Sequence, residues 1–461
     1  MLREIFHDQF ADIRRREWLP TVLMSAFFFL VIAIFWILKP LKRGLLVSYF
    51  GDAPVTFFGL TFGGAEAEQI AKFLNVIAAY VVVIVFTILA RRFPRHWLVA
   101  ILTAFFGASF AVYAYLLQDV QSQLVVWSFY VLGDMFNTAM VVVFWAFTDD
   151  IWTPEEAKRT YGMVGLGGVV GGLVGATIVN ATVEEAGRPP LLLWAILPLA
   201  LIVIIAFVVN RLTTTREERR ENHAAAPRKT TPAALEGGKL VFASRYLLAI
   251  AAIVGIYELV SNLVDFQLAS TVETRVAGDL PKDAFFAMVG QVTGAASIVV
   301  QLLLTSWIMK SFGVKVALLF LPIAIATSSL GFLLLPTLVF ATAMSASDNA
   351  LNYSINQSAR EALYTPTDPE VTYKAKAFID MVVQRFGKVV AVGLNLGFVA
   401  IVTEEVRWLS LVTLGLATAW CFLILQVGRR FNEKAEGGRD ADELAGPPPL
   451  HRAPVPRKKL G

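Results

Sequence analysis

The chain alternates long apolar segments with short polar stretches. Each apolar segment has about 20 residues or more, enough for a helix to cross a ~30 Å hydrocarbon core. Such segments occur in two sets of six, near 19–50, 69–90, 96–117, 123–148, 160–181 and 190–210, then near 243–270, 284–309, 314–335, 337–363, 375–403 and 406–428. Since lipid offers the backbone no hydrogen-bond partner, we expect helices. The pattern predicts an all-α integral membrane protein of about twelve transmembrane helices (spans 1–12) in two six-helix bundles.

The polar stretches divide the chain into five regions. Residues 1–18 have apolar side chains near helical spacing, which predicts a cytoplasmic interfacial helix, with a solvated tail as the alternative. The bundles cover 19–210 and 243–430. The cytoplasmic linker, 211–242, and the tail, 431–461, are too polar to bury a core, so we expect both to be disordered.

Composition agrees with a membrane protein and argues against an enzyme. Hydrophobic residues make up 56% of the chain and charged residues only 16%, against about a quarter in soluble domains. The single cysteine, Cys421, allows no disulfide within one chain. The four histidines are scattered without ligand spacing, and no nucleophile–base pair is evident. We expect no metal, no cofactor, no enzymatic activity, no nucleic-acid partner and a monomer.

Basic residues favour one side of the predicted membrane. They precede span 1 (14–16), separate spans 2 and 3 (91–95) and are frequent in the linker and tail, whereas the loops after spans 1 and 3 carry none. By the positive-inside rule, both termini and the linker lie in the cytoplasm, in a cell inner membrane.

The two halves share a weak internal repeat. Asp134 in span 4 and Asp348 in span 10 each open a polar segment that ends in a Thr-Pro turn with a nearby acid. Two related halves indicate alternating access around a site near the membrane midplane.

Charged side chains inside the predicted spans are the candidate functional residues, since each costs about 2.5–3.5 kcal/mol at a helix centre. Three cations of span 1 are spaced i, i+3, i+4 and share one helix face, where they repel unless an anion lies opposite. In span 7, Glu258 begins a polar stripe. The predicted substrate-binding residues are Lys39, Lys42 and Arg43 in span 1, Asp134 and Asn137 in span 4, Asn262 and Asp265 in span 7, and Arg385 and Lys388 in span 11.

Two alternatives remain for these charges. They could form structural salt bridges with one another, or the span 1 cluster could reach the lipid headgroups. The apolar sequence GLLVSYF follows the cluster directly and argues against headgroup contact. We favour a ligand-facing role for Lys42, whereas Glu258 could equally lie at the cytoplasmic end of its span.

Span 5 is rich in glycine, YGMVGLGGVVGGLVGATIV. This density allows close helix approach through small-xxx-small faces. A phosphate-binding loop is excluded, because no strand precedes the stretch and the Lys-Ser/Thr ending is missing.

Several stretches resemble the nucleotide transporters (ATP/ADP translocases) of plastids and obligate intracellular bacteria. These are FWAFTDDIWTPEEAKRTYGMVGLG (144–167), YSINQSAREALYTPTD (353–368) and KAKAFIDMVVQRFGK (374–388), with weaker similarity in ILKPLKRGLLV and NLVDF. The resemblance implies a fold similar to the major facilitator type and exchange of adenine nucleotides. The family's functional lysines and acids fall, by motif position, on Lys42, Asp134, Asp265 and Lys388.

The chain also departs from that family. The acids of spans 4 and 7 are usually glutamates there and are aspartates here, and the span 1 pattern R-D-x-K-D is Lys39-Pro40-Leu41-Lys42-Arg43. Val169 replaces an expected asparagine, and D-P-x-K-E is replaced by QSARE in span 10. The site is therefore more basic, which keeps anion transport and leaves the adenine specificity open.

The leading hypothesis is an exchanger of nucleotide-type, phosphorylated anions. Lys42, supported by Arg43, and Lys388 would bind phosphate oxygens, and Asp134 and Asp265 would pair with them when the cavity is empty. The alternative is a proton-coupled transporter of another anionic metabolite or lipid, with Asp134 or Asp265 carrying the proton. A non-transporting sensor or scaffold is a third possibility.

Overall fold

The computed structural model describes residues 14, 16–57, 59–120, 122–213, 233–402 and 405–445. In that part of the chain, ten helices are long and apolar enough to cross a membrane. The other two predicted spans, 10 and 11, are helices interrupted by π-helical turns. The all-α membrane fold predicted from the sequence is confirmed.

The N-terminal half consists of six spans and one short hairpin. The spans are Trp18–Asp52 (span 1), Gly64–Arg92 (span 2), Arg95–Leu116 (span 3), Gln123–Ile151 (span 4), Pro154–Ala186 (span 5), and Arg188–Trp194 with Ile196–Thr213 (span 6). Two strands, Val55–Phe57 and Leu60–Phe62, pair antiparallel between spans 1 and 2, an element that the sequence analysis did not predict.

The C-terminal half repeats this order with more irregular helices. Span 7 is Arg245–Arg275. Span 8 begins at Asp279–Val299, continues through the π-helical turn Val300–Leu304 and passes into Thr305–Leu334, which contains span 9. Span 10 consists of Leu338–Leu351, Asn352–Asn356 and Gln357–Ala362. Span 11 consists of Pro369–Phe378, Ile379–Val383 and Gln384–Ile401. Span 12 is Leu409–Ala445, which follows the 3₁₀ turn Val406–Trp408.

Local sequence chemistry explains several helix boundaries. At the start of span 5, Thr153 and Glu156 form a capping box, and Pro154 occupies the first turn, where its missing N–H is not needed. Gly313 has φ 77° and ψ 173°, outside the helical region, and separates span 8 from span 9. Only glycine adopts such a backbone without strain.

The helices pack around two main hydrophobic cores. One is formed mainly by buried residues between 24 and 209, and the other mainly by residues between 241 and 427. Each half therefore has its own interior, and polar side chains are left to line the space between them.

The two halves are joined at the end of the molecule opposite the linker. The Glu273 carboxylate at the end of span 7 accepts hydrogen bonds from the backbone N–H groups of Gly64 and Ala65, both at 2.7 Å. Arg188 donates to both carboxylate oxygens of Asp283, at 2.7 and 3.1 Å. A carboxylate at a helix N-terminus and a forked guanidinium pair are both strong contacts. They close this end.

The structure differs from the predicted linker and tail, and the predicted N-terminal helix lies mostly outside the described residues. The last part of the predicted linker is the helix Ala233–Ala243 rather than disordered chain, because it packs on span 11 and Glu236 pairs with Lys374 at 2.9 Å. The expected tail is also helical as far as Ala445, since its first residues are good helix formers that continue span 12. The predicted interfacial helix falls mainly on 1–13, outside the described residues.

The glycines of span 5 serve helix packing against span 1, as their spacing predicted. A Cβ atom placed on any of three glycines, four residues apart, would overlap a backbone carbonyl of span 1. The pairs are Gly167 with Ser25, Gly171 with Phe29 and Gly175 with Ala33. This is a small-xxx-small face on which two backbones approach closely.

We expect Gly171→Ala to lower the stability of the protein by about 1–3 kcal/mol, the usual cost of overpacking. The matched control is Gly165→Ala in the same helix, where an added Cβ meets no atom within 4 Å. Because alanine favours a helix over glycine, the control should keep or slightly raise the melting temperature. Thermal unfolding in detergent measures both, and equal melting temperatures would contradict the packing role.

Candidate functional site

A cavity of about 710 Å³ lies between the two halves. Spans from both halves line it, and among the described residues seven basic and six acidic side chains face it. The basic residues are Lys39, Lys42, Arg43, Lys72, Arg360, Arg385 and Lys388, and the acidic residues are Glu68, Asp134, Glu258, Asp265, Asp348 and Asp380. A wall this rich in charge suits an ionic ligand better than an apolar one.

Lys42 points into the protein. Its ammonium lies 2.5 Å from an Asp134 carboxylate oxygen and 4.0 Å from the centre of the Tyr130 ring, and the residue is only 4% exposed. Asn75 also donates to Asp134. The helix of span 1 continues through Pro40, so the apolar sequence after the cluster stays helical. Lys42 is therefore placed in the cavity wall and not at the headgroups.

Arg43 links the two halves of the protein. Its guanidinium contacts Glu68 of span 2 at 2.8 Å and Asp265 of span 7 at 2.7 Å, and it also donates to the Asp265 backbone carbonyl at 2.9 Å. Lys72 of span 2 pairs with the same Asp265 carboxylate. Asp265 thus holds two cations of the N-terminal half from across the cavity.

The cations of span 11 lie on a more open part of the wall. The Lys388 side chain is 51% exposed, and its ammonium is 3.8 Å from Glu258. The Arg385 guanidinium lies over the Tyr80 ring of the opposite half, at 4.8 Å. The exposure of Lys388 indicates that the cavity is open to solvent at span 11, whereas the contacts described above close the other end.

The structure brings all nine predicted site residues to the wall of this one cavity. Lys39 lies over the Trp36 ring at 4.4 Å, and Asn137 lines the wall beside Asp134. Asn262 uses its amide nitrogen within its own helix, donating to the Glu258 carbonyl at 2.8 Å. Their shared location is a structural fact, whereas substrate binding by these residues stays a prediction.

The charged cavity residues that sequence reasoning did not assign to the site include Glu68 and Lys72 of span 2. The hydropathy pattern predicts that span 2 begins near 69, which places Glu68 in a loop. In the structure the helix begins at Gly64, and Glu68 is 2% exposed. The i, i+4 spacing of this acid and base, on a helix that was expected to be apolar, was the available signal.

The pairing of the charges differs in part from the expected exchange of partners. Asp134 does pair with Lys42, and Asp265 pairs with Arg43. Lys388, however, pairs with Glu258 of its own half and not with either aspartate. Each predicted aspartate therefore already has a cation partner in this conformation.

Sequence comparison identifies the family. The model of the TLC ATP/ADP transporter family matches residues 121–348 and 336–431, more than half of the chain. The chain belongs to this family. Its members are transporters, and the chain is accordingly a multi-pass membrane protein of a transporter family.

Curated members of the family are similar at low identity. ADP,ATP carrier protein 1 of Chlamydia muridarum is 26% identical over 57% of this chain and 56% of its own length. The plastidic ATP/ADP-transporter of Solanum tuberosum is 27% identical over 57% of this chain and 47% of its own length. These matches span about half of the relatives. ADP,ATP carrier protein 4 of Rickettsia bellii matches over 83% of this chain and 84% of its own length, at 24% identity.

Solved transporter structures share the fold of this family member. The nucleoside transporter NupG superimposes with a TM-score of 0.61 at 11% identity, covering 88% of this chain and 98% of that one. A D-xylose-proton symporter gives a TM-score of 0.57 at 13% identity, covering 87% and 96%. The architecture is therefore similar to that of major facilitator transporters, as the resemblance implied.

Proposed function

We propose that this chain exchanges nucleotide-type, phosphorylated anions across a membrane by alternating access. The family match and the names of the similar carriers support this class of substrate. A volume of about 710 Å³ falls in the range of small-ligand sites, roughly 300–1,000 Å³. The seven basic side chains of the wall supply the charge that a phosphate group needs.

The observation that carries the proposal is the position of Asp265. Its carboxylate is shared by Arg43 and Lys72 across the boundary between the halves. The other ion pairs of predicted site residues stay within one half. Lys42 pairs with Asp134 and Arg43 with Glu68 in the N-terminal half, and Lys388 pairs with Glu258 in the C-terminal half. When the contacts of Asp265 change, an ionic link between the two halves therefore changes with them.

In the proposed cycle, substrate phosphate replaces Asp265 as the partner of Arg43 and Lys72. Arginine binds phosphate oxygens through a fork, and lysine acts as a movable point charge. Once the anion has taken over both cations, the halves lose a direct ionic link, and the equilibrium between inward- and outward-open states can shift. An empty carrier lacks that replacement partner and would reorient slowly, which gives strict exchange.

The experiment that tests this proposal is uptake into proteoliposomes preloaded with unlabelled nucleotides. Labelled nucleotides and simpler phosphate esters are offered outside as a panel. We expect rapid uptake of at least one nucleotide that depends on internal counter-substrate. If no nucleotide enters preloaded vesicles that contain folded protein, the proposed substrate class is wrong.

We expect Lys388→Ala to slow exchange by about tenfold. A hydrogen bond to a charged group contributes roughly 1.5–3 kcal/mol, but half of the Lys388 side chain is exposed and solvent screens its charge. The effect should therefore be at the lower end of that range. Concentration-dependent uptake measures it, with Lys310→Ala as a control outside the cavity wall. Equal rates in Lys388→Ala and wild type would remove Lys388 from the site.

We further propose a cytoplasmic-membrane location with both termini and the linker in the cytoplasm. The distribution of basic residues supports this orientation, since Arg91 and Arg92 end span 2 and Arg95 begins span 3. The cavity would then be open to the cytoplasm. Protease accessibility of the linker in inside-out and right-side-out vesicles tests the orientation.

A further inference from the structure

Asp348 is a buried acid that the exchange mechanism does not use. It lies in span 10, borders the cavity and is 2% exposed. One carboxylate oxygen accepts a hydrogen bond from the Ser261 hydroxyl at 2.6 Å. The other oxygen is buried without a hydrogen-bond partner, and no salt bridge to Asp348 occurs in the described part of the chain.

The internal repeat provides a direct comparison with Asp134. The two residues open the matching polar segments of spans 4 and 10. Asp134 has the Lys42 ammonium at 2.5 Å and the Asn75 amide as a second donor. At Asp348 the only partner among the described residues is a neutral hydroxyl. The two positions therefore differ in what they provide for a negative charge.

The charged groups nearest to Asp348 come from spans 7 and 1. Span 7, which packs against span 10, presents the acids Glu258 and Asp265, and across the cavity span 1 presents Lys39, which lies over Trp36.

Among the described residues, spans 8 and 9, which also pack against span 10, contribute no charged side chain to the cavity wall. Span 8 presents only uncharged side chains to the cavity, and no described residue of Thr305–Leu334 lines it. A buried carboxylate without a cationic partner is costly to ionise, and the usual response is to bind a proton.

We propose that Asp348 is a proton-binding site through which proton movement accompanies anion transport. In the conformation described here the carboxyl group is neutral. The proton comes from water in the cavity and binds one carboxylate oxygen. When the cavity faces the other side, the proton returns to water there and leaves the carboxylate. The proposal extends anion exchange, and its spectroscopic test does not depend on the identity of the substrate.

Infrared difference spectroscopy of purified protein in lipid tests the protonation directly. We expect wild type at neutral pH to show the C=O band of a protonated carboxyl group, and Asp348→Asn to lack a component of that band. The control is Asp52→Asn, which removes an exposed carboxylate at the end of span 1 and should leave the band intact. An unchanged band in a folded Asp348→Asn protein would overturn the proposal.

Transport with a pH gradient tests the coupling. In proteoliposomes preloaded with nucleotide, we expect wild-type uptake to rise severalfold when the outside is more acidic than the inside, and uptake by Asp348→Asn to be independent of the gradient. A pH-sensitive dye inside wild-type vesicles should report proton entry with substrate. Wild-type uptake that ignores the gradient, without any dye response, would overturn the coupling even if the variant cannot be purified. Absence of uptake of every nucleotide would instead contradict the proposed substrate, while the infrared result would still decide the proton site.

Discussion

Replacement of Lys42 by alanine is expected to reduce nucleotide exchange about 30-fold or more. Lys42 is nearly buried and holds Asp134 at 2.5 Å. Loss of one member of a buried charge pair costs roughly 2–5 kcal/mol, which is about 30-fold to several thousandfold in an equilibrium. In the proposed cycle the variant also loses a phosphate contact. Uptake into preloaded proteoliposomes, normalised to the amount of folded protein, measures the effect.

A double variant separates phosphate binding from a purely structural ion pair. In Lys42→Ala, Asp134 is left without its cation, and part of the loss could come from that unpaired acid. Lys42→Ala combined with Asp134→Asn removes both charges and leaves no unpaired acid at this position. If Lys42 binds substrate, the double variant stays as slow as the single variant. Recovery of wild-type exchange in the double variant would show that the pair is structural.

Residues on one helix face could be predicted from the sequence because helix geometry is local. The i, i+3, i+4 spacing of Lys39, Lys42 and Arg43 places them on one side of span 1, and all three line the cavity. The same reasoning applies to the glycines of span 5, whose four-residue spacing brings them against one ridge of span 1. In both cases the periodicity of a single helix contains the information.

The pairing of charges between helices could not be predicted in this way. Glu68 and Lys72 enter the cavity because span 2 begins at Gly64, and that helix start is held by Glu273, about two hundred residues later in the chain. Likewise, the pairing of Lys388 with Glu258 depends on how spans 7 and 11 pack. Such contacts are set by tertiary packing, and local spacing, such as the i, i+4 spacing of Glu68 and Lys72, does not tell which residues of other helices they meet.

The irregular parts of the C-terminal half were also beyond sequence reasoning. Three π-helical turns interrupt spans 8, 10 and 11, among them Ile379–Val383, directly before the helix that contains Arg385 and Lys388. A π-helical turn adds a residue to the helical repeat, so it changes which side chains face the cavity after it. Both cations are predicted for the site because they are charges one turn apart inside an apolar span, and the family resemblance also places Lys388 there. Their spacing lies entirely within Gln384–Ile401, after the turn.

The second large effect is expected from Asp265→Asn, which should convert strict exchange into net transport. In wild type, Asp265 holds Arg43 and Lys72 of the opposite half, and an empty carrier would have to break both contacts and leave the Asp265 carboxylate without either cation. Asparagine has nearly the same shape but no charge. Arg43 keeps Glu68 at 2.8 Å and Lys72 keeps Glu68 at 3.9 Å, so the cations of the N-terminal half retain a partner when the halves separate.

Uptake of labelled nucleotide into vesicles that contain no nucleotide measures this change. We expect almost none in wild type and uptake at least tenfold above that background in Asp265→Asn, because about 1.4 kcal/mol removed from the barrier of the empty carrier is already a factor of ten. The matched control is Glu258→Gln in the same helix, whose ion pair with Lys388 stays within the C-terminal half. Since that pair does not join the halves, its loss should slow exchange without allowing net uptake. Net uptake in both variants would mean that any loss of cavity charge uncouples the carrier. Net uptake in neither variant would mean that the link through Asp265 does not limit the return of the empty carrier.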